Sequence, residues 1–242
     1  TLLKECGISI NNGKDQLMAQ ASNFPMEVLY LRNSDIPQYV KDGIADIAII
    51  GDNTEKEKKT GIENVLKLGF SRCRLSIAVP KAVDFTDISY LQGKKIATSY
   101  PTSLQDFLDE NHIQAEIHEI SGSVEIAPNI GLADAICDLV STGSTLFKNG
   151  LKEVYKIFES QAILVANPDL SPEKRALLDQ LVFRIKAVLA SKCNKYILLN
   201  APETRLEEIC RILPGMKSPT IMPLRQSGWY SLHSVVNENR FW

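Results

Sequence analysis

The strongest constraint on how this chain can fold is a pattern that it uses twice. Gly43-Ile44-Ala45-Asp46 is followed by an apolar run, Ile47-Ala48-Ile49-Ile50, and then by a polar turn, Gly51-Asp52-Asn53-Thr54. About 90 residues later Gly131-Leu132-Ala133-Asp134 leads into an apolar run ending at Val140 and then into Ser141-Thr142-Gly143-Ser144-Thr145. Each copy reads as helix, glycine stop, strand, polar turn, helix. Two such units at that spacing predict two similar α/β lobes of small-domain size. Ligands of open α/β sheets sit beyond the carboxyl ends of strands, so both polar turns can face one cleft. The alternative is that short units of this kind resemble one another by chance.

Around the two copies, short β-branched runs alternate with helical stretches, which predicts an α/β protein with mainly parallel sheets. Residues 26–31 read as a strand, with Asp35 and Pro37 opening the next helix. Residues 74–79 form an apolar strand ending at Pro80, a candidate first crossing between lobes, and residues 161–166 read as the return crossing. Lys95-Ile96-Ala97-Thr98 is a strand, and Ser99-Tyr100-Pro101-Thr102 leads into a helix from Ser103. A long helix is expected from Ser171 to about Lys192, and a shorter one over 203–213. After Pro214-Gly215 the texture changes, and residues 220–224 and 229–236 look like strands of a further element. The chain opens inside a helix stopped by Gly7 and ends at Phe241-Trp242 as another helix begins, so it reads as a fragment.

Bulk properties exclude several functions. A net charge of −2 gives no nucleic-acid footprint, so any anion is bound locally. The five cysteines are scattered, with no CxxC or Cys/His cluster, which argues against zinc and for a reducing cytoplasm. No run is apolar and long enough to span a bilayer.

The chemistry concentrates between Asp134 and Leu146. A strand carrying Asp138 near its end runs into four hydroxyl residues around one glycine, at the start of a helix. Exposed N–H groups at a helix start attract anions, and Gly143 lets the backbone approach closely. The hydroxyls add donors without charge, so a phosphomonoester can be held and released. Asp138, just before that turn, can accept hydrogen bonds from ribose hydroxyls. A plain capped turn would also favour Ser and Thr, but four hydroxyls, a glycine and upstream Asp residues together favour a phosphoribosyl ligand.

Residues 131–146 closely resemble the signature of the ATP phosphoribosyltransferase family. The resemblance extends to Arg32-Asn33-Ser34-Asp35-Ile36-Pro37, Cys73-Arg74-Leu75-Ser76, Lys95 to Pro101 and Gly122-Ser123-Val124-Glu125-Ile126-Ala127-Pro128, and covers essentially the whole chain. It implies an α/β fold with a two-lobed, periplasmic-binding-protein-like (type II) catalytic region and the start of a small C-terminal α+β regulatory domain. The expected division is residues 1–75 with 166–218 as lobe I, 76–165 as lobe II, and 219–242 as the incomplete regulatory domain.

The resemblance also implies transfer of the phosphoribosyl group of phosphoribosyl pyrophosphate (PRPP) to N1 of ATP, releasing pyrophosphate, as the first step of histidine biosynthesis. Ser141, Thr142, Gly143, Ser144 and Thr145 would cradle the 5-phosphate, with Asp138 on the ribose. Tyr100 and Glu125 would line the cleft from the same lobe, and Arg32 would face ATP or pyrophosphate from the other. Mg²⁺ would be held mainly by substrate oxygens, with no protein metal ligand named, and no catalytic side chain is assigned. The implied partners are ATP, PRPP and histidine, the last as feedback inhibitor of the full-length protein, within a homodimer or homohexamer in the cytoplasm. The family's basic N-terminal turn would precede Thr1, and many relatives carry an arginine near Gln16, where Lys14 is the neighbouring cation. The alternative function is a two-lobed solute-binding protein for a small anion.

Overall fold

The computed structural model describes residues 2–11, 16–215 and 217–240; Lys14 and the helix expected to begin at 241–242 lie outside them. In chain order the elements are α1 (Leu2–Glu5), β1 (Met18–Gln20), β2 (Glu27–Leu29), α2 (Ile36–Lys41), β3 (Ile47–Gly51), α3 (Asp52–Lys58), β4 (Glu63–Lys67) and β5 (Cys73–Pro80). There follow β6 (Lys95–Thr98), α4 (Pro101–Glu110), β7 (Glu116–Glu119), β8 (Ala135–Val140), α5 (Ser144–Lys148), β9 (Leu151–Ser160) and β10 (Ala162–Ala166). The last are α6 (Pro172–Lys192), β11 (Asn194–Pro202), α7 (Leu206–Ile212), β12 (Thr220–Pro223) and β13 (Trp229–Asn237). The chain divides into two units, Tyr30–Lys174, and Thr1–Leu29 with Arg175–Trp242. Among the described residues no helix is long and apolar enough to cross a membrane.

Both lobes signalled by the repeated pattern lie in the first unit. One is a three-stranded sheet ordered β3-β10-β4, and the other a five-stranded sheet ordered β7-β6-β8-β5-β9. Gly43 and Gly131 both adopt left-handed backbone, with φ of 72° and 73°, and each turns the chain into its strand. The copies differ upstream, where α2 precedes Gly43 but only a short 3-10 turn, Pro128–Ile130, precedes Gly131.

Two expectations change here. Parallel pairing joins β6 to β7 and β8, whereas the other pairs among the named strands are antiparallel. The reason is the route of the chain: β5 carries it into the five-stranded lobe and β9 carries it out, side by side in opposite directions. The crossings also lie elsewhere. All of β5 belongs to the five-stranded sheet and all of β10 to the three-stranded one. The connections are therefore residues 68–72 and Gln161, not strands 74–79 and 161–166, and the lobe boundaries move with them from 75/76 and 165/166. The two connections bond to each other, Gly69 N–H donating to the Gln161 side-chain oxygen at 3.0 Å and Ala162 N–H to the Phe70 carbonyl at 2.9 Å.

The core of the five-stranded lobe follows from β5, whose alternate residues Leu75, Ile77 and Val79 are fully buried against Leu104, Phe107 and Leu108 of α4. Positions 104, 107 and 108 share one helical face. Burying each such side chain stabilises the fold by roughly 1.5–3 kcal/mol. On the other face Ala78, Ile136 and Val140 pack beneath Val124, Ala127 and Leu146. This second layer supports the turns described below.

The other unit holds a three-stranded antiparallel sheet ordered β11-β13-β12. Strand β11 pairs with β13 along nine residues, from Asn194↔Asn237 to Pro202↔Trp229. The boundary expected at residue 219 therefore lies upstream, because the backbone groups of 194–202 find their partners in the C-terminal sheet and not in lobe I. In the same unit Lys192 Nζ sits 2.6 Å from Glu5, and the Arg184 guanidinium lies 5.2 Å from the Phe24 ring centre.

Candidate substrate site

Strands β6, β7 and β8 are mutually parallel, so their carboxyl ends emerge along one edge and deliver three turns there: 99–100, 120–123 and 141–143. Side chains at the strand ends tie these turns together. The buried Thr98 hydroxyl donates to the Cys137 carbonyl at 2.7 Å and accepts from Tyr100 N–H at 2.9 Å. Ser99 donates to the Ile120 carbonyl at 2.7 Å and accepts from Gly122 N–H at 3.4 Å. Gly122 and Ser123 then take consecutive left-handed conformations, φ 81° and 51°, which swing the chain into the 3-10 turn bearing Glu125. For Ser123 that backbone costs about 1–3 kcal/mol, the kind of strain that persists where a site requires it.

Asp138 lies on β8 on the face of Ile136 and Val140, opposite Ser76 of β5. Burial pushes its carboxyl up to about 6, the neighbouring Glu125 carboxylate adds to the rise, and a hydrogen bond from Leu139 N–H at 2.7 Å opposes it. The Tyr100 phenol is raised to about 12, first by burial and then by Asp138, so it stays a hydrogen-bond donor. The structure thus brings Asp138, Glu125 and Tyr100 into one electrostatic neighbourhood.

Beyond β8, Gly143 at φ 77° starts α5, and an ordinary side chain would be strained at that angle. The Thr142 hydroxyl accepts from Ser144 N–H at 3.4 Å and lies 3.0 Å from the Ser144 hydroxyl. Ser141, Thr142, Ser144 and Thr145 are all exposed, so their hydroxyls are accessible to an anion. Arg74 Nη1 reaches the Ser141 carbonyl at 3.2 Å, while its Nε and Nη2 donate to the two carboxylate oxygens of Glu153. The Ser76 hydroxyl donates to the same carboxylate at 2.8 Å. The Arg74 guanidinium, and secondarily Ser76, hold Glu153 below the usual carboxylate range.

A cavity of about 990 Å³ opens beside these turns, lined from one lobe by Asn53, Thr54 and Glu57 and from the other by Ser99, Tyr100 and Gly122. The first polar turn of the repeated pattern therefore does face this cleft. Of the expected site residues only Tyr100 lines this cavity; Asp138, Glu125 and the 141–145 turn do not. Arg32 is exposed just before the turn that leads into α2, and its neighbours Asn33 and Ser34 reach the cavity where it does not.

Sequence reasoning missed Glu57. Its carboxylate accepts from Thr102 N–H at 2.8 Å and Ser103 N–H at 2.9 Å, capping α4 from the opposite lobe. Among Glu55, Lys56 and Lys58 it looks like one more solvated helix charge. Removing it as Glu57→Ala is expected to cost about 1–2 kcal/mol, a fall in Tm of roughly 2–8 °C. A melting curve unchanged within a degree would show that water caps α4 equally well.

Among the described residues no group of three or more His, Cys, Asp or Glu is placed to hold a metal ion. The family model described as ATP phosphoribosyltransferase matches residues 32–187, and that described as HisG, C-terminal domain, matches residues 191–242. An ATP phosphoribosyltransferase of Cytophaga hutchinsonii is 58% identical over 241 residues, covering 100% of this chain and 84% of the relative. A solved ATP phosphoribosyl transferase (HisG:HisZ) complex from Thermotoga maritima has a chain with 27% identity and a TM-score of 0.68, covering 78% of this chain and 91% of that one. A substrate-binding protein of an amino acid ABC transporter has 17% identity and a TM-score of 0.50, covering 66% of this chain and 71% of that one, a likeness of fold alone. The periplasmic-binding-protein-like (type II) architecture is thus shared between enzymes and binding proteins.

Proposed function

The chain belongs to the ATP phosphoribosyltransferase family, and we propose that it joins N1 of ATP to the anomeric carbon of PRPP, releasing pyrophosphate, as the first step of histidine biosynthesis. The observation that carries this reading is the exposed hydroxyl turn 141–145 at the end of a strand bearing the half-buried Asp138. N–H groups and hydroxyls of the turn hold the 5-phosphate. Asp138, ionised above about pH 6, accepts from the ribose hydroxyls.

In the displacement the N1 lone pair forms the new bond to the anomeric carbon, and the electron pair of the breaking C–O bond leaves with pyrophosphate. Positive charge develops on the ribose ring, and the poorly solvated Asp138 carboxylate, which this reading places on the ribose, offsets it. N1 carries no proton to remove, so positioning dominates and no general base is required. Asp138 and Glu125 are the neighbouring carboxylates that would meet a Mg²⁺ ion carried mostly by substrate oxygens and water. Mg²⁺ held there would supply charge neutralisation for the leaving pyrophosphate. In this reading Tyr100 lines the ATP side of the cleft, and Arg32, which does not line the cavity, meets ATP or pyrophosphate from the other lobe.

The family also argues against the solute-binding alternative, whose fold the chain shares. A cytoplasmic enzyme, inhibited by histidine through its C-terminal residues and assembled as a homodimer or homohexamer, completes the proposal. The match of residues 191–242 supports the regulatory part. The test is pyrophosphate release from PRPP with ATP and with two analogues. ATP and 7-deaza-ATP are expected to react, and 1-deaza-ATP, which lacks N1, is expected to be inert. Turnover of the 1-deaza analogue would overturn the assignment of N1.

A further inference from the structure

Arg74 carries a consequence beyond the residues of the phosphate turn. It stands on β5 opposite Val140, the last residue of β8, so its side chain starts level with the base of the turn. All three guanidinium nitrogens bond within the protein, two to Glu153 and one to the Ser141 carbonyl. These bonds hold the guanidinium against Glu153 and the backbone of the turn. What it fixes is a peptide plane. In a trans peptide the C=O and the following N–H point in opposite directions. Pinning the Ser141 carbonyl onto Arg74 therefore turns the Thr142 N–H away from Arg74.

The neighbouring strand is shaped to hold this arrangement. The pairing of β9 with β5 shifts register twice, between Leu75 and Ser76 and again between Ile77 and Ala78. Without those two irregularities Glu153 would stand opposite Pro80; with them it stands opposite Ala78. Two shifts preserve the face on which Glu153 projects and bring it about 7 Å closer to Arg74 along the strand. Bulges commonly re-aim a side chain in this way. Ser76, fully buried, closes the network by donating to the same carboxylate.

We propose that Arg74, oriented by Glu153, is a positioning residue that presets the Ser141–Thr142 peptide so that the Thr142 N–H is ready to receive the 5-phosphate of PRPP. This rests on the reading of the 141–145 turn as the phosphate site. The test is calorimetric titration of Arg74→Lys, Glu153→Gln and the double variant with PRPP plus Mg²⁺ and, separately, with ATP, alongside Thr142→Ala. Lysine keeps the charge but cannot hold Glu153 and the Ser141 carbonyl in one planar fork.

Arg74→Lys and Glu153→Gln are each expected to weaken PRPP binding about 10-fold, leave ATP binding within about 2-fold, and combine without adding, as members of one network do. A merely structural role would weaken both ligands together, or make the two substitutions additive, and either result overturns the proposal. Should Arg74→Lys fold poorly, Glu153→Gln carries the same test. If Thr142→Ala weakens PRPP binding while Arg74→Lys and Glu153→Gln do not, the turn binds phosphate but Arg74 does not preset it. If Thr142→Ala has no effect on PRPP either, the phosphate reading itself falls, and the proposal with it.

Discussion

At pH 7.5 the Asp138→Asn protein is expected to melt several degrees higher than the parent while binding PRPP about 10- to 100-fold more weakly. Both effects come from burial of the carboxyl. Its folded value of about 6 exceeds its ordinary 3.8, so the fold favours the neutral acid. The stability contributed by that neutral form is complete below about pH 4 and is lost as pH rises through about 6. At pH 7.5 the parent therefore carries a destabilising charge on the order of 2–3 kcal/mol. Asparagine removes the charge, and its side-chain oxygen can still accept from Leu139 N–H. The same change replaces a charged acceptor for ribose hydroxyls by a neutral one, worth about 1.5–3 kcal/mol in binding. Thermal melts from pH 4 to 8 and paired titrations with PRPP and ATP check both halves. An unchanged melting temperature at pH 7.5 would remove the buried charge, and equal losses for both ligands would remove Asp138 from the ribose.

The double variant Thr142→Ala/Thr145→Ala is expected to lose PRPP binding by about 100-fold or more. Each hydroxyl is a candidate donor to a charged phosphate, and such bonds contribute roughly 1.5–3 kcal/mol apiece. The folded protein should lose little. Thr142 contributes a long cap to Ser144 N–H, and its removal costs about 1 kcal/mol. Titration with PRPP plus Mg²⁺ reads the binding loss, and a melting curve reads the fold. If PRPP affinity stays within about 3-fold of the parent, the hydroxyls are helix caps and nothing more.

The sequence was most legible where local chemistry and tertiary need agree. The two glycine-stopped strands, the left-handed Gly43, Gly131 and Gly143, and the exposed hydroxyl turn all answer to short-range rules. Strand β9 shows why the rest was hidden. Its apolar residues Leu151, Val154, Tyr155 and Phe158 fall at helical spacing, because two register shifts interrupt the period of two that marks a strand. With β9 unread, Glu153 had no place opposite β5, and the network that holds Arg74 could not be seen. Strands β4 and β7 are short and carry few apolar residues, so their pairing depends on neighbours far away in the chain. Strand β11 follows directly on the long α6, and only its nine-residue pairing with β13 shows that it belongs to the C-terminal sheet. Glu57 was invisible for another reason: its role is set by a helix in the opposite lobe.

The paired connections at 68–72 and Gln161 have a mechanical consequence. Two adjacent segments, bonded to each other by Gly69 N–H and Ala162 N–H, form a hinge with a defined axis. Rotation about it leaves both sheets intact, since each strand belongs wholly to one sheet. Resistance comes from the contacts that cross between the lobes: Glu57 on the first turn of α4, Lys59 with Asp106 at 2.7 Å, Lys56 over the Phe158 ring and, nearer the connections, Asn53 with Ser160. Separating the lobes would mean releasing all of these, of which the helix cap and the exposed ion pair together account for about 1–3 kcal/mol.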